Sequence, residues 1–321
     1  MLLYSSMIYS SIFDVYPLGE HFMNRTITYN IEDNFQGNTI LQYLKKHLYT
    51  DKAIIALKKT PEGILLNGTW AYVNQKVSSG DILVVKIVET ESSEKIVPEN
   101  LDIDIVYEDE DILVVNKPAN MPVHPSQNHY TGTLANGLAG YFAAQNKPFI
   151  FRCVNRLDRD TTGLTILCKH QLASGILSNM VSERLIKRTY LAICADDGSL
   201  PENGTIDVPI GRKEGSTIER LVDFRNGERA VTHFTRLSHD ANKGISLIQL
   251  RLETGRTHQI RVHMSFIGHP LLGDDLYGGD CTLISRQALH SYSLKFTHPV
   301  TLQEMYFEQE LPKDMRRLLA E

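Results

Sequence analysis

The acidic segment at residues 88–111 is the feature that most constrains how this chain can fold. It contains ten acidic residues and one lysine, a net charge of −9 within a chain whose total is −5. It also carries Ser92, Ser93 and Pro98 and shows little hydrophobic periodicity before Ile105. Such a segment is typical of a linker, so the 321 residues are expected to form two units rather than one.

The predicted division places a small domain at residues 23–88, an acidic linker at 89–104 and a larger domain at 105–321. Residues 1–22 are expected to be a tail or a misassigned start, because Met23 opens a more regular sequence (MNRTITYNIEDNF).

The charge outside the acidic segment changes what composition says about partners. Without residues 88–111 the chain carries +4, and residues 151–190 hold seven basic residues against three acids. Locally basic stretches are what contact with phosphate requires. The total of −5 therefore does not exclude a nucleic-acid partner.

The cysteines and the apolar runs set the expected compartment. The four cysteines are far apart and form no Cys-x-x-Cys pair, which argues against a zinc ribbon or a thioredoxin-type site. The N-terminus has no secretory features, so we predict reducing cytoplasm. No apolar run reaches the roughly 18 residues of a spanning helix, so no membrane association is expected.

The small domain combines two helical patterns with a hairpin. Residues 38–48 and 53–58 have apolar residues at helical spacing and lysines on the other side. An Asn67-Gly68 turn and a second strand at residues 82–88 follow. This order resembles the alpha-L RNA-binding module shared with a small-subunit ribosomal protein. RNA binding and a plain structural or partner-docking role both remain open.

The larger domain is predicted to be α+β with a mixed, largely antiparallel sheet, because long strands outnumber the helices between them. A strand at residues 111–118 stops at Pro118. The further predicted strands span residues 164–168, 188–194, 230–237 and 245–252. The predicted helices span residues 134–145, 174–187 and 258–267, the last with Thr257 as its N-cap and Gly268 as its stop.

Residues 155–163 alternate two acids, Asp158 and Asp160, with two arginines, Arg156 and Arg159. A nearby arginine favours the ionised form of a carboxylate, which suits a nucleophile or a base. The alternative interpretation is a surface loop with ordinary ion pairs. Thr162-Gly163 runs directly into an apolar strand, which indicates a close approach of the backbone to a neighbouring segment.

Residues 253–264 form a second unusual block, in which a strand end and a glycine-containing loop lead into a helix. The N-terminus of that helix, with Arg256 and Arg261 nearby, is a natural place for a phosphate. His258, His263 and His269 together with Asp274 and Asp275 could suggest a metal site. His258 and His263 are five residues apart, whereas ligands on one helical face are three or four apart, so no metal site is predicted.

Six ordered blocks between about residues 100 and 312 resemble the RluA family of pseudouridine synthases. RLDRDTTGL (156–164) is similar to the signature loop of that family, and GRTHQIRVHM (255–264) to its second block. The remaining blocks are LVVNKPANMPVHP (113–125), KRTYLAI (187–193), GHPLLGDDLYG (268–278) and ALHSYSL (288–294). Asn155 and Thr162 depart from the family pattern, which usually has histidine and serine at these positions.

The resemblance implies an enzyme that isomerises specific uridines in RNA, on the pseudouridine synthase fold. It implies that Asp158 is the catalytic aspartate, acting on a flipped-out uridine either as a nucleophile or as a base on the ribose. Arg261 matches the arginine that pairs with this aspartate. Tyr190 matches the active-site tyrosine, which stacks on the uracil and can help to remove the ring proton. A core aromatic residue is the alternative interpretation of Tyr190.

The resemblance also implies a set of RNA contacts. Arg156 matches the arginine that occupies the gap left by the flipped base. The full predicted set of RNA- or substrate-binding residues is Arg156, Asn155, Arg256, His258, Gln259 and Lys117.

The predicted partner is structured RNA, either ribosomal RNA, with the large subunit favoured, or transfer RNA. No cofactor or metal is expected, because the isomerisation is redox-neutral, and we predict a monomer. Two other functions remain as alternatives: a non-catalytic RNA-binding protein on the same fold, and a metal-dependent hydrolase built on the histidines and Asp274-Asp275.

Overall fold

The computed structural model describes residues 23–89, 92–93, 95–126 and 130–320. The predicted tail at residues 1–22 lies outside this part of the chain. No helix among the described residues is long and apolar enough to cross a bilayer.

The N-terminal unit is a four-stranded antiparallel sheet covered by two helices. Thr39 caps the first helix by accepting from the Gln42 amide, and Thr50 caps the second in the same way through Ala53. Asn67 and Gly68 have φ of 53° and 80°, as a tight hairpin turn requires. The elements are β1 (Met23–Asn30), α1 (Ile40–Lys46), α2 (Asp51–Lys59), β2 (Ile64–Leu66), β3 (Thr69–Trp70) and β4 (Ile82–Glu89), in the sheet order β1-β4-β2-β3.

The remaining chain is organised around a nine-stranded sheet, with a separate two-stranded hairpin beside it. The predicted helix at residues 134–145 and the predicted strand at 245–252 are confirmed. The elements are β5 (Asp104–Glu108), β6 (Ile112–Lys117), α3 (Leu134–Ala143), β7 (Thr162–Cys168), α4 (Gln171–Ser182), β8 (Lys187–Ala195), β9 (Asn203–Asp207), β10 (Ile210–Arg212), β11 (Arg220–Val222), β12 (Val231–Asp240), β13 (Ile245–Leu252), α5 (Gln259–Phe266), β14 (Leu289–Thr297), β15 (Glu304–Glu308) and α6 (Lys313–Leu319).

The sheet order is β5-β6-β7-β14-β8-β13-β12-β9, with β15 also paired to β14. Among the described strands of this sheet, only β7 and β14 pair in parallel, so the prediction of a mixed, largely antiparallel α+β domain is confirmed. The strands β7, β14 and β8 are central, which places the loop before β7 beside the middle of β8.

Two of the predicted helices have wrong boundaries. The helix predicted at residues 174–187 begins at Gln171, where the His170 ring accepts from the Ala173 amide, and ends at Ser182. It ends early because Arg184 has a positive φ and β8 starts at Lys187. Thr257 is not the cap of α5, because His258 precedes that helix in a left-handed conformation with φ of 57°.

The two units share one cluster of buried apolar side chains. Residues of α1, α2 and β4 pack in the same cluster as residues of β6, β7 and α4. The contact is also polar: Arg25 of β1 donates to Asp111, and Glu89 at the end of β4 pairs with Arg152. The boundaries at 88, 89 and 104 remain predictions, but the small unit is docked on the large sheet.

The acidic segment is not a solvated charge run in its second half. Five of its acids pair with basic side chains from elsewhere in the chain. These acids are Glu89, Glu108, Asp109, Glu110 and Asp111. Of these five acids only Glu89 belongs to the predicted linker, and the other four belong to the predicted larger domain, so the last part of the acidic segment is paired inside the fold.

Candidate active site

A cavity of about 1150 Å³ opens at the end of the central strands. It is lined by the loop that precedes β7, by β8, by the loop between β13 and α5, and by one side of α4. The signature loop and the second block are about 100 residues apart in sequence, and the fold brings them together in the lining of one cavity. All of the predicted site residues except Lys117 lie on this lining.

Gly163 allows the signature loop to approach β14. Its φ is +104°, and a Cβ at this position would collide with the backbone of Ser291. The predicted close approach of the backbone at Thr162-Gly163 is therefore confirmed.

The predicted catalytic residue Asp158 does not pair with the arginines next to it in sequence. Arg159 binds Asp160 instead, with 2.9 Å between Nη2 and Oδ2. The partner of Asp158 is Arg261 of α5, whose Nη1 lies 3.2 Å from Oδ2. The Asp158 side chain remains 27% exposed, so the carboxylate is oriented by one ion pair and is still open to the cavity.

Arg261 is held between two carboxylates. Its Nε and Nη2 each donate to Asp274 at 2.7 Å, in the bidentate geometry that suits guanidinium and carboxylate. Its guanidinium also lies 5.0 Å from the centre of the Tyr277 ring. Burial opposes the charge, but Asp274 and Asp158 outweigh it and raise the pKa of Arg261. This arginine is thus a fixed positive charge beside Asp158.

Tyr190 lies on β8, opposite Leu250 of β13 and Ser291 of β14. It is 5% exposed and belongs to a core cluster, yet it also lines the cavity. Burial raises the pKa of its hydroxyl, and Arg188 acts in the opposite direction. The two interpretations of Tyr190 are therefore compatible, since one side of the ring packs in the core and the other faces the cavity.

Lys117 is fully buried, so the expectation that it contacts the RNA backbone is wrong. Its ammonium group donates to the carbonyls of Pro118, Met121 and Arg159 at 2.8–2.9 Å. Burial lowers the pKa of Lys117 to about 7, while Asp160 and Asp158 oppose this change. Its role is to join the loop after β6 to the signature loop.

Asn155 and Gln259 line the cavity, and their side-chain amides are bound to the protein, so their role as RNA contacts stays a prediction. The Asn155 side chain accepts from the Ile166 amide at 2.8 Å and donates to the Leu164 carbonyl at 3.2 Å, which fixes the signature loop to β7. Gln259 is 2% exposed and donates to the Val231 carbonyl on β12 at 2.9 Å. These hydrogen bonds explain why each position has an amide side chain, which can both donate and accept.

The remaining predicted contacts face the cavity. Arg156 is exposed and has no ion-pair partner among the described residues. Arg256 pairs with Glu228 at the rim. His258 places Nδ1 2.7 Å from the Tyr277 hydroxyl and Nε2 4.0 Å from Asp158. Because Arg261 is committed to two carboxylates, it does not complete the phosphate site expected at the start of α5.

Three further arginines line the cavity and were not predicted individually: Arg152, Arg184 and Arg188. Arg188 Nε and Arg152 Nη1 are buried with no hydrogen-bond partner among the described residues. The excess of basic residues at 151–190 predicts a basic surface, but it does not indicate which of these residues face the cavity. Asp274 was considered only as a metal ligand, whereas its observed partner is Arg261.

The histidines considered for a metal site have separate protein partners. His263 contacts Thr232 and the Val208 carbonyl, and His269 contacts the Ala195 carbonyl. Within the described ranges, the one group of three potential metal ligands is Asp109, Asp111 and His298, which lies outside the cavity lining.

Comparison with known proteins connects this geometry to a family. Residues 111–266 match a family model described as RNA pseudouridylate synthase. An uncharacterized RNA pseudouridine synthase of Bacillus subtilis, YjbO, is 43% identical over 276 residues, which are 86% of this chain and 94% of that protein. Ribosomal large subunit pseudouridine synthase D of Vibrio cholerae is 37% identical over 307 residues, which are 90% of this chain and 92% of that protein.

The fold agrees with these sequence matches. The structure of human RNA pseudouridylate synthase domain containing 1 has a TM-score of 0.54 at 27% identity, covering 66% of this chain and 84% of that one. The sequence matches span nearly all of the bacterial relatives, and the resemblance to the RluA family is confirmed. The chain belongs to the RluA family of RNA pseudouridine synthases, enzymes that isomerise uridine in RNA.

Proposed function

We propose that this enzyme converts specific uridines of structured RNA to pseudouridine by the action of Asp158 on a flipped-out uridine. The observation that carries the proposal is the Asp158 carboxylate in the cavity, held by Arg261 at 3.2 Å and still accessible. Large-subunit ribosomal RNA is the favoured substrate, because relatives of 37% and 38% identity are named ribosomal large subunit pseudouridine synthase D. Transfer RNA is the second candidate.

The reaction breaks the bond between ribose C1′ and uracil N1, turns the ring, and joins C1′ to C5. The C5 proton then leaves, and N1 ends with a proton. Asp158 acts either as a nucleophile on the sugar or as a base on the ribose, and its ion pair with Arg261 orients it. Tyr190 lies on the cavity wall, where its ring can stack on the uracil and its hydroxyl can assist the departure of the C5 proton.

Binding of the RNA is assigned to the cations around the cavity. Arg156 is exposed beside Asp158 in sequence, which suits insertion into the gap left by the flipped base. Arg152, Arg184 and Arg188 extend the basic lining on the side of α4. Guanidinium groups serve this role well because they bind phosphate oxygens in a bidentate manner.

The N-terminal unit is proposed to dock a second part of the RNA. Lys46, Lys58 and Lys59 are exposed on α1 and α2, and Trp70 is 58% exposed on the hairpin. Exposed aromatic rings and lysines together are typical of surfaces that bind RNA. Loss of RNA affinity on combined replacement of the lysines by glutamine, measured by titration of the full chain, tests this role.

The decisive experiment is a pseudouridine map of total RNA from a deletion strain and its parent. The expected result is at least one site that is lost on deletion and restored by the wild-type gene, but not by a gene encoding Asp158→Ala. Restoration by Asp158→Ala would contradict the catalytic assignment. The position of the lost site would identify the RNA.

The two alternative functions have separate tests. Equal RNA affinity of wild type and Asp158→Ala, with no pseudouridine formed by either, would indicate a non-catalytic RNA-binding protein. Activity abolished by a chelator and restored by a metal would favour a metal-dependent enzyme. We expect the enzyme to act as a cytoplasmic monomer, which light scattering of the purified chain and fractionation of cells would test.

A further inference from the structure

Tyr277 connects three parts of the site through one side chain. It ends the 3-10 helix Asp275–Tyr277, and its own carbonyl accepts from Ser265 of α5 at 2.8 Å. Its hydroxyl accepts from the Arg220 amide at the start of β11 at 3.0 Å and lies 2.7 Å from His258 Nδ1. Its ring lies beneath the Arg261 guanidinium.

The Tyr277 hydroxyl can donate only one hydrogen bond, and the group to which it donates determines the tautomer of His258. One lone pair of the Tyr277 oxygen accepts the Arg220 N–H, so the remaining polar contact of the hydroxyl is with His258 Nδ1. If the hydroxyl donates its proton to Nδ1, the imidazole hydrogen lies on Nε2. Nε2 is then a donor facing the Asp158 carboxylate at 4.0 Å.

The opposite tautomer is disfavoured by the surroundings. It would place an unprotonated Nε2 towards the Asp158 carboxylate, with two electron-rich atoms facing each other. It would also leave the Tyr277 proton without an acceptor among the described residues. Burial lowers the pKa of His258, and Arg261 and Arg220 act in the same direction against Asp158 and Asp274, which is consistent with a neutral ring.

We propose that Tyr277 is a positioning residue for the isomerisation, holding His258 as the neutral Nε2–H tautomer directed at Asp158 and supporting Arg261 with its ring. Nε2 and the carboxylate are 4.0 Å apart, so a polar atom of the bound nucleotide that lies beside this gap can be within hydrogen-bond distance, about 2.8 Å, of both. His258 then donates a hydrogen bond at the reacting end of the cavity, and the hairpin of β10 and β11 fixes the Tyr277 hydroxyl through Arg220. This inference rests on the proposed function of Asp158.

The test replaces the hydroxyl and the ring separately. Tyr277→Phe removes the hydrogen bond and keeps the ring, whereas Tyr277→Leu removes both. We expect Tyr277→Phe to lower kcat about tenfold with the KM for RNA within about twofold, as loss of one hydrogen bond in the transition state predicts. Tyr277→Leu should lower kcat further, because Arg261 also loses its support.

The tautomer can be observed directly. Nitrogen-15 NMR of the labelled full-length protein should show an unprotonated Nδ1 and a protonated Nε2 for His258 in the wild type, and a mixture of tautomers in Tyr277→Phe. The matched control is Tyr141→Phe, which removes a tyrosine hydrogen bond to Glu108 that lies outside the cavity lining. It should change neither kcat nor the His258 signals.

The outcomes separate this inference from the proposed function. Unchanged His258 signals, or an unchanged kcat, in Tyr277→Phe would overturn the inference, whatever the melting temperature. If Asp158→Ala still forms pseudouridine, the proposed function fails on its own evidence. If Asp158→Ala is inactive while Tyr277→Phe is fully active, only the role of Tyr277 is lost.

Discussion

Two clusters of carboxylates and basic side chains in this protein have similar composition and very different surroundings. In the cavity, Asp158 has one ion pair to Arg261 and is 27% exposed. At the junction of the two units, Asp111 is 2% exposed and accepts from Arg25 through both oxygens and from His170. A grouping of charges therefore does not by itself identify a site.

The two clusters differ in whether their carboxylates can still accept a hydrogen bond: Asp158 is partly exposed to the cavity, whereas the oxygens of Asp111 are all occupied. Both oxygens of Asp109 are also occupied, by the amides of Asp111 and Ile112 on one side and by Tyr107 and His298 on the other. With all of these carboxylate oxygens occupied, the group contributes to stability, and its carboxylates have no free acceptor for a substrate. We call these two groups the cavity cluster (Asp158, Arg261, Asp274) and the junction cluster (Asp109, Asp111, Arg25, His170, His298).

The largest expected effect is on activity in the cavity cluster. Asp158→Asn should reduce the rate of pseudouridine formation by about 10³-fold or more, because it removes the reacting carboxylate. The free energy of unfolding should change by less than about 1 kcal/mol, since a partly exposed ion pair is lost while Arg261 keeps Asp274. Single-turnover kinetics and urea unfolding measure the two effects. If the free energy of unfolding fell by about 4 kcal/mol, the equivalent of a 10³-fold loss of rate, the two clusters would not differ in the way described.

Asp274→Asn should affect both properties. It takes one carboxylate from a buried guanidinium, which costs about 3 kcal/mol of stability. It also loosens the arginine that orients Asp158, so kcat should fall by about 10²-fold with a smaller change in KM. The same two measurements apply. A variant with wild-type kcat would show that Asp158 alone suffices to hold Arg261.

Asp111→Asn should affect stability alone. Loss of its charge weakens the contacts with Arg25 and His170, and we expect a destabilisation of about 2 kcal/mol. The pseudouridine formed per folded molecule should be unchanged at a temperature where the variant remains folded. A selective loss of kcat would mean that docking of the N-terminal unit controls the cavity.

The smallest effect is the pH dependence of the junction cluster. Burial favours the protonated carboxyl, but hydrogen bonds from His170 and Arg25 outweigh it and lower the pKa of Asp111. A carboxyl with a lowered folded-state pKa stabilises the protein above its unfolded pKa of about 4, and this contribution is lost as the pH falls through the folded value.

The stability gap between wild type and Asp111→Asn should therefore be constant between about pH 5 and 7 and should narrow below about pH 4. The expected slope is about 1.4 kcal/mol per pH unit over the range between the two pKa values. Urea unfolding at several pH values measures the gap. A gap that widens in acid would show that the pKa of Asp111 is raised instead.

Much of the fold could be predicted from local patterns. The alternation of Ile248, Leu250 and Leu252 with polar residues predicts β13, and the Asn67-Gly68 pair predicts a hairpin, because both depend on neighbouring residues only. The boundary of α4 could not be predicted, since the residues after Ser182 have helical spacing and the left-handed Arg184 ends the helix. The predicted cap of α5 was wrong because His258, in a left-handed conformation, precedes the helix, and its side chain contacts the distant Tyr277.

The sequence by itself determined the family, the fold class and the set of motif residues, because the motifs are defined by residue types and spacings that can be read directly from it. The resemblance to the family also implied the pair of Asp158 with Arg261, which the structure contains. Only the tertiary structure decided the other partners: Asp274 binds Arg261, Arg159 binds Asp160, and the buried Lys117 binds three carbonyls rather than RNA. Electrostatic partnership depends on distance and on access to water, and neither can be read from the order of residues.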